Sequence, residues 1–214
     1  MIPEDVINIA AGEVGYHEKV FGTPDAALYP KRNSYDGMDN WTKYHRDINV
    51  AQGGAWCGYF LYWCFFQLCG SIADTNTFLH GIINKGAGVD DWYTAFNNAG
   101  KFHYKNSGYI PKPGDAVVFS DAVYTYSHVE LIVGVSGYPS YITNIGGNTR
   151  YDPSSSGTES DSAWVARRDR SVTATSGFHI LGYCEIDYDG IPESIPDYMY
   201  GWILQKKKRH KWIW

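Results

Sequence analysis

Cys57 stands where a thiol can act as a nucleophile. It follows a Gly53-Gly54 loop and opens the run Cys57-Gly58-Tyr59-Phe60-Leu61-Tyr62-Trp63-Cys64, the start of an apolar stretch reaching Leu68. The first N–H groups of a helix have no internal partner and carry partial positive charge, which favours thiolate over thiol. A free cysteine is otherwise a small buried hydrophobe, so a base and an orienting group must come from elsewhere. His128 is the candidate base. It opens His128-Val129-Glu130-Leu131-Ile132-Val133, in which alternation puts His128, Glu130 and Ile132 on one face; taken alone, a strand histidine is more often structural. The next run, Tyr141 to Ile145, leads into Gly146-Gly147-Asn148-Thr149. If the two runs pair as a hairpin, Asn148 lies beside the start of the first. It can then bond one imidazole nitrogen while the other faces Cys57. Nucleophile, base and orienter so placed perform acyl transfer through a covalent intermediate.

The elements that must position these groups are legible in order. Pro3 to Gly15 reads as a helix: proline in the first turn, Glu4 and Asp5 at the positive end, and a stripe of Val6, Ile7, Ile9, Ala10 and Val14. Residues 18–40 are rich in Gly, Pro, Asn and Asp and read as a long loop. Asn40 to Ile48 suits a short helix. The nearly continuous apolar run from Cys57 to Leu68, stopped by Gly70, predicts a central buried helix. Asp91 to Asn98 is the clearest helix of the following stretch. After Pro113-Gly114 the pattern changes to short β-branched and aromatic runs at 115–119, 128–135, 141–145, 163–167 and 178–186, separated by turn residues. Helices followed by a meander of at least five strands predict an α+β domain, with the Cys57 helix packed on an antiparallel sheet.

Composition narrows the function classes. At 214 residues, 44% hydrophobic and 19% charged, the chain is globular and long enough for one well-buried domain. The net charge is −5 although Lys206, Lys207, Lys208, Arg209 and Lys211 cluster at the end, so the body is acidic and unsuited to nucleic acid. The four cysteines, Cys57, Cys64, Cys69 and Cys184, are too few and too irregular for a disulfide scaffold, and no C-x-x-C pair supports zinc. Cys64 and Cys69 read as core residues. Asp36, Asp39, Asn40 and Asp47 could offer oxygens to calcium, but without EF-hand spacing they read better as solvated turns, and no cofactor is expected. No 18-residue apolar run or signal-peptide pattern is present, so a cytosolic site of synthesis is expected. Aromatic content of 16% suits sugar or peptide binding as well as an aromatic core. The closing segment, 189–214, reads as a linker and a basic, aromatic tail able to touch an anionic envelope.

Four segments resemble the CHAP family of cysteine, histidine-dependent amidohydrolases/peptidases, within the wider NlpC/P60 and papain-like group. They are Ala55-Trp56-Cys57-Gly58-Tyr59-Phe60-Leu61-Tyr62-Trp63-Cys64; Pro111-Lys112-Pro113-Gly114-Asp115-Ala116-Val117-Val118-Phe119; Ser127-His128-Val129-Glu130-Leu131-Ile132-Val133-Gly134-Val135; and Ile145-Gly146-Gly147-Asn148-Thr149. The helix at 3–15 and Asn40-Trp41-Thr42-Lys43-Tyr44 look like the segments that precede the cysteine in phage endolysins of this type. The resemblance covers about residues 3–188 and implies a papain-like fold with five to six strands, catalytic over 1–188. It implies cleavage of peptidoglycan, in the stem peptide or cross-bridge or between N-acetylmuramic acid and L-alanine. By position, Cys57 becomes the nucleophile, His128 the base and Asn148 the orienter. The departure is Gly146, where many members carry the glutamate that orients the histidine; Glu130 and Asn144 are then the alternatives to Asn148. For the oxyanion, the Cys57 N–H and, by analogy with papain-like enzymes, Gln52 are candidate donors. Trp56, Trp92, Tyr124 and Tyr126 are candidates for a substrate groove. The endolysin reading places synthesis in the host bacterial cytoplasm and action on the wall after release. A bacterial wall-remodelling hydrolase and a non-catalytic wall-binding module are the rivals, and the presence of both Cys57 and His128 argues against the second.

Overall fold

The computed structural model describes residues 2–18, 40–82, 87–149 and 163–190. Asp36, Asp39 and the basic tail fall outside these residues. Five helices, α1 (Pro3–Ala11), α2 (Lys43–Asp47), α3 (Cys57–Cys69), α4 (Ile72–Phe78) and α5 (Val89–Asn98), accompany six strands. The strands are β1 (Phe102–Tyr104), β2 (Ala116–Ser120), β3 (His128–Gly134), β4 (Tyr141–Thr149), β5 (Trp164–Ser171) and β6 (His179–Cys184). They form one antiparallel sheet in the order β1-β6-β2-β3-β4-β5. The expected α+β, papain-like architecture is therefore the one the chain adopts.

The meander holds from β2 to β5. β6 then crosses back to pair with β2 on its other side, and β1 joins outside β6. β1 has only three residues, between Lys101 and Lys105, too few for alternation to mark it. α1 ends earlier than its apolar stripe suggests because the chain turns away to pair with β5. Gly15 adopts a φ of 93° and its N–H reaches the Val165 carbonyl at 2.9 Å.

α3 is buried on almost every side, as its unbroken apolar composition predicts. Gly70 ends it with a φ of 80°, a left-handed conformation glycine adopts without steric cost, and its N–H bonds the Phe66 carbonyl. The helix rests on β3 and β4, where strand alternation aims Val129, Leu131 and Ile145 at Phe60, Leu61 and Cys64 in one core. The other face of the sheet gathers Val117, Phe119, Ile132, Ile142 and Ile180. Gly147 lets α3 approach β4 closely: a Cβ there would lie 2.6 Å from atoms of both Trp56 and Phe60. These contacts set the start of α3 against the start of β3, so helix packing and strand register together locate the site.

Candidate active site

Cys57 is the first residue of α3 and His128 the first of β3. His128 acts on the Cys57 thiol through its charge and its hydrogen-bonding capacity, and the backbone N–H groups of Gly58 and Val129 act on the sulfur in the same direction. Both residues are only 3% exposed. Burial by itself pushes the Cys57 thiol up, but the His128 charge and hydrogen bond, with the two N–H donors, bring it below its ordinary value. Burial likewise works against a charged His128, yet Cys57 first and Glu130 second raise it to about 9. Each group therefore favours the charged form of the other, the direction that makes a cysteine a better nucleophile.

The partner that orients the imidazole is Glu130. His128 Nε2 bonds Glu130 Oε1 at 3.1 Å. Arg170, from β5, grips the same carboxylate with two donors: Nε reaches Oε2 at 2.9 Å and Nη2 reaches Oε1. Its Nη2 also donates to Thr149 Oγ1 at 3.3 Å. The guanidinium lies over the rings of Phe119 and Phe178, 5.1–5.5 Å from their centroids. Burial works to raise the Glu130 carboxyl, but Arg170, aided by His128, holds it far below the usual carboxylate range. Buried charges persist only when paired in this way.

The expectation that Asn148 is the leading orienter needs correction. Among the described hydrogen bonds, the one at His128 Nε2 goes to Glu130. Glu130 sits two residues along the same strand and on the same face, whereas Asn148 lies in the shifted register between Gly146 and Thr149, with a φ of 53°. Room for Glu130 comes from Gly146: a Cβ there would fall 2.6 Å from both Cγ and Oε1 of Glu130. Asn144 is opposite Ile132 and fully buried, and its amide makes no hydrogen bond among the described residues.

Other candidates separate into those near the surface and those spent elsewhere. Gln52 clamps Thr42 instead of facing the sulfur: its Oε1 accepts the Thr42 N–H at 2.9 Å and its Nε2 donates to the Thr42 carbonyl at 2.8 Å. The Cys57 N–H remains as the helix-start donor for an oxyanion. Trp56 and Trp92 are core residues, not groove walls; both are fully buried, with indole N–H groups bonded to Glu18 and to the Gly58 carbonyl. Tyr124 is 62% exposed in the loop before His128, where Asp121 Oδ1 accepts its N–H. Tyr126 is half-buried and stacks on Tyr93 of α5, ring centroids 4.5 Å apart. Of the two described calcium candidates, Asn40 donates its backbone N–H to Glu18, and Asp47 accepts from Trp63 Nε1 and pairs with Arg46. No group of three His, Cys, Asp or Glu residues able to hold a metal exists among the described residues. Cys64, Cys69 and Cys184 are buried free thiols pushed up by burial.

Residues 49–148 match the family model of the CHAP domain. The match encloses Cys57, His128, Glu130 and Asn148, and it stops short of Arg170. CHAP domains are typically cysteine, histidine-dependent amidohydrolases or peptidases. No curated protein matches the chain. Among the described residues, no helix is long and apolar enough to cross a membrane. Arg170, Phe178 and Tyr93 are the site residues that motif reasoning passes over, since Arg170 and Phe178 belong to strands or turns far along the chain and Tyr93 to a separate helix.

Proposed function

We infer that this chain is an endolysin-like peptidoglycan hydrolase that cuts an amide bond of the wall by a thiol mechanism. The observation that supports it most is the buried Cys57–His128 pair at the head of α3, inside a CHAP match. The Cys57 thiolate adds to the carbonyl carbon, forming the C–S bond as charge moves to oxygen beside the helix N-terminus. Collapse breaks the C–N bond while the His128 imidazolium gives its proton to the leaving amine. Neutral His128 then removes a proton from water, which attacks the thioester, and the thiolate departs as its conjugate leaving group. The bond is one in the stem peptide or cross-bridge, or that joining N-acetylmuramic acid to L-alanine. The N-terminal resemblance to phage enzymes supports synthesis in a host cytoplasm and action after release.

The test is incubation of purified walls with the protein, followed by mass spectrometry of the released muropeptides. New amine and carboxyl ends should accumulate at one bond type. Cys57→Ala should lower their rate of formation by at least ~10³-fold, the scale of losing a member of a nucleophile–base unit. Unchanged release by Cys57→Ala would refute the thiol mechanism, and walls left intact by the native chain would point to a binding module.

A further inference from the structure

We propose that Glu130 and Arg170 act on His128 as one charge-neutral unit, so that Arg170 is a positioning residue for the dyad. This rests on the thiol-hydrolase reading and extends it to a residue outside the CHAP match. The geometry is specific. Glu130 Oε1 is shared between His128 Nε2 and Arg170 Nη2, and Oε2 takes Arg170 Nε. All three side chains are buried. A lone carboxylate so placed would hold the imidazolium too firmly and oppose its loss of a proton to the leaving amine. With its charge matched by a two-pronged guanidinium, the carboxylate keeps the directionality of an acceptor and loses most of its pull. Electrostatically it then resembles the neutral amide of Cys-His-Asn sites. Thr149 Oγ1 and the Phe119 and Phe178 rings fix the guanidinium plane.

Gly146 belongs to the same device. The Glu130 carboxyl and stem fill the volume a side chain at 146 would take. Here the acid is carried by the histidine's own strand, within reach of β5, and this brings Arg170 into the site. Among the described residues, the charged and titratable groups packed about His128 are Cys57 from α3, Glu130 from β3 and, across Glu130, Arg170 from β5; β2 contributes the uncharged Phe119 ring.

The experiment is an NMR titration of the His128 imidazole in the full chain, with the resonance assigned by its loss in His128→Gln. It is compared with the pH dependence of kcat/KM on purified walls. Glu130→Gln leaves a buried cation and should lower the His128 pKa by about one unit or more; Arg170→Met leaves a buried anion and should raise it by a similar amount. The double variant Glu130→Gln/Arg170→Met should return the His128 pKa to within about one unit of the native value. It should also recover at least tenfold in kcat/KM over the worse single variant. If either single variant fails to fold, the double variant alone decides. A shift in the same direction for both singles, or a double variant no better than Glu130→Gln, overturns the proposal. The NMR readout does not depend on which bond is cut, so loss of the hydrolase reading and loss of this inference are separately visible.

Discussion

Gly58→Ala tests how tightly the nucleophile's position depends on packing. A Cβ at residue 58 would fall 2.1 Å from the Ala87 carbonyl oxygen and 3.1 Å from Trp92 Nε1, which donates to the Gly58 carbonyl. An ordinary C···O contact needs about 3.3 Å, so α3 and the Ala87 segment must separate by roughly 1 Å. The clashing atom is backbone, and no rotamer change relieves it. Overpacking of this kind costs about 1–3 kcal/mol, reduced somewhat by the better helix propensity of alanine. For a chain of this size a net cost of about 1–2 kcal/mol corresponds to a fall in Tm of about 2–8 °C. The larger effect falls on chemistry, because residue 58 follows Cys57 and its backbone N–H helps to lower the thiol pKa. A displacement of about 1 Å in a reacting group costs on the order of 10²-fold in rate. The assays are thermal unfolding, kcat/KM on purified walls, and the rate of Cys57 alkylation by iodoacetamide at pH 7. Gly12→Ala is the control: it has ordinary contacts of 3.4–3.5 Å and a right-handed φ of −66°, so it should leave all three unchanged. A Gly58→Ala protein as stable and as active as the Gly12→Ala control would refute the packing argument.

Two further outcomes follow from titrations. Activity requires His128 protonated to release the amine; its pKa is raised to about 9. The alkaline limb of kcat/KM should therefore fall through about pH 9, and the same ion pair should lose its contribution to stability as pH rises through that value. A pH–rate series would contradict this if the alkaline limb fell near 6.5, the ordinary histidine value. His45 behaves in the opposite sense. It is fully buried, with Nδ1 bonded to Thr42 Oγ1 and no hydrogen-bond partner for Nε2 among the described residues, and burial lowers its pKa to about 4. Below about pH 6.5 the unfolded chain takes up a proton that the folded one refuses. Stability should drop by roughly 3 kcal/mol between pH 6.5 and 4 on this account. His45→Asn should flatten that part of the Tm–pH curve, and an unchanged slope would exclude His45 as its source.

Much of the architecture was legible because it rests on local rules. The apolar run to Leu68 and the glycine after Cys69 mark α3; alternation marks β3 and puts Glu130 on the face of His128. The choice between Glu130 and Asn148 was not legible. It depends on the register shift near the end of β4 and on space beside Gly146, both properties of paired strands and not of either strand alone. Arg170 was hidden for a related reason, since only the β4–β5 pairing brings it beside a residue forty positions away. The tryptophans misled because an indole looks alike in sequence whether it lines a groove or fills a core. Trp56 and Trp92 found partners for their N–H groups inside, in the Glu18 carboxylate and the Gly58 carbonyl, and burial then cost them nothing. Gln52 misled because an amide near a nucleophile resembles an oxyanion donor until its partners on Thr42 are seen.

The pairing of residues 15–18 with β5 bears on how this protein can be cut and joined. Gly15 and Glu18 donate to Val165 and Ala163, and Val165 donates back to Tyr16, so the segment after α1 forms the selvedge of the sheet beyond β5. Glu18 then takes the N–H groups of Asn40 and of the Trp56 indole, immediately before the nucleophile. An excised fragment limited to residues 49–148 would leave behind both halves of this clasp, together with the guanidinium that grips Glu130. A fragment that keeps this clasp and the guanidinium therefore has to reach from α1 to β5, and a fusion joint placed between α1 and Trp56 would loosen the thiol from a distance.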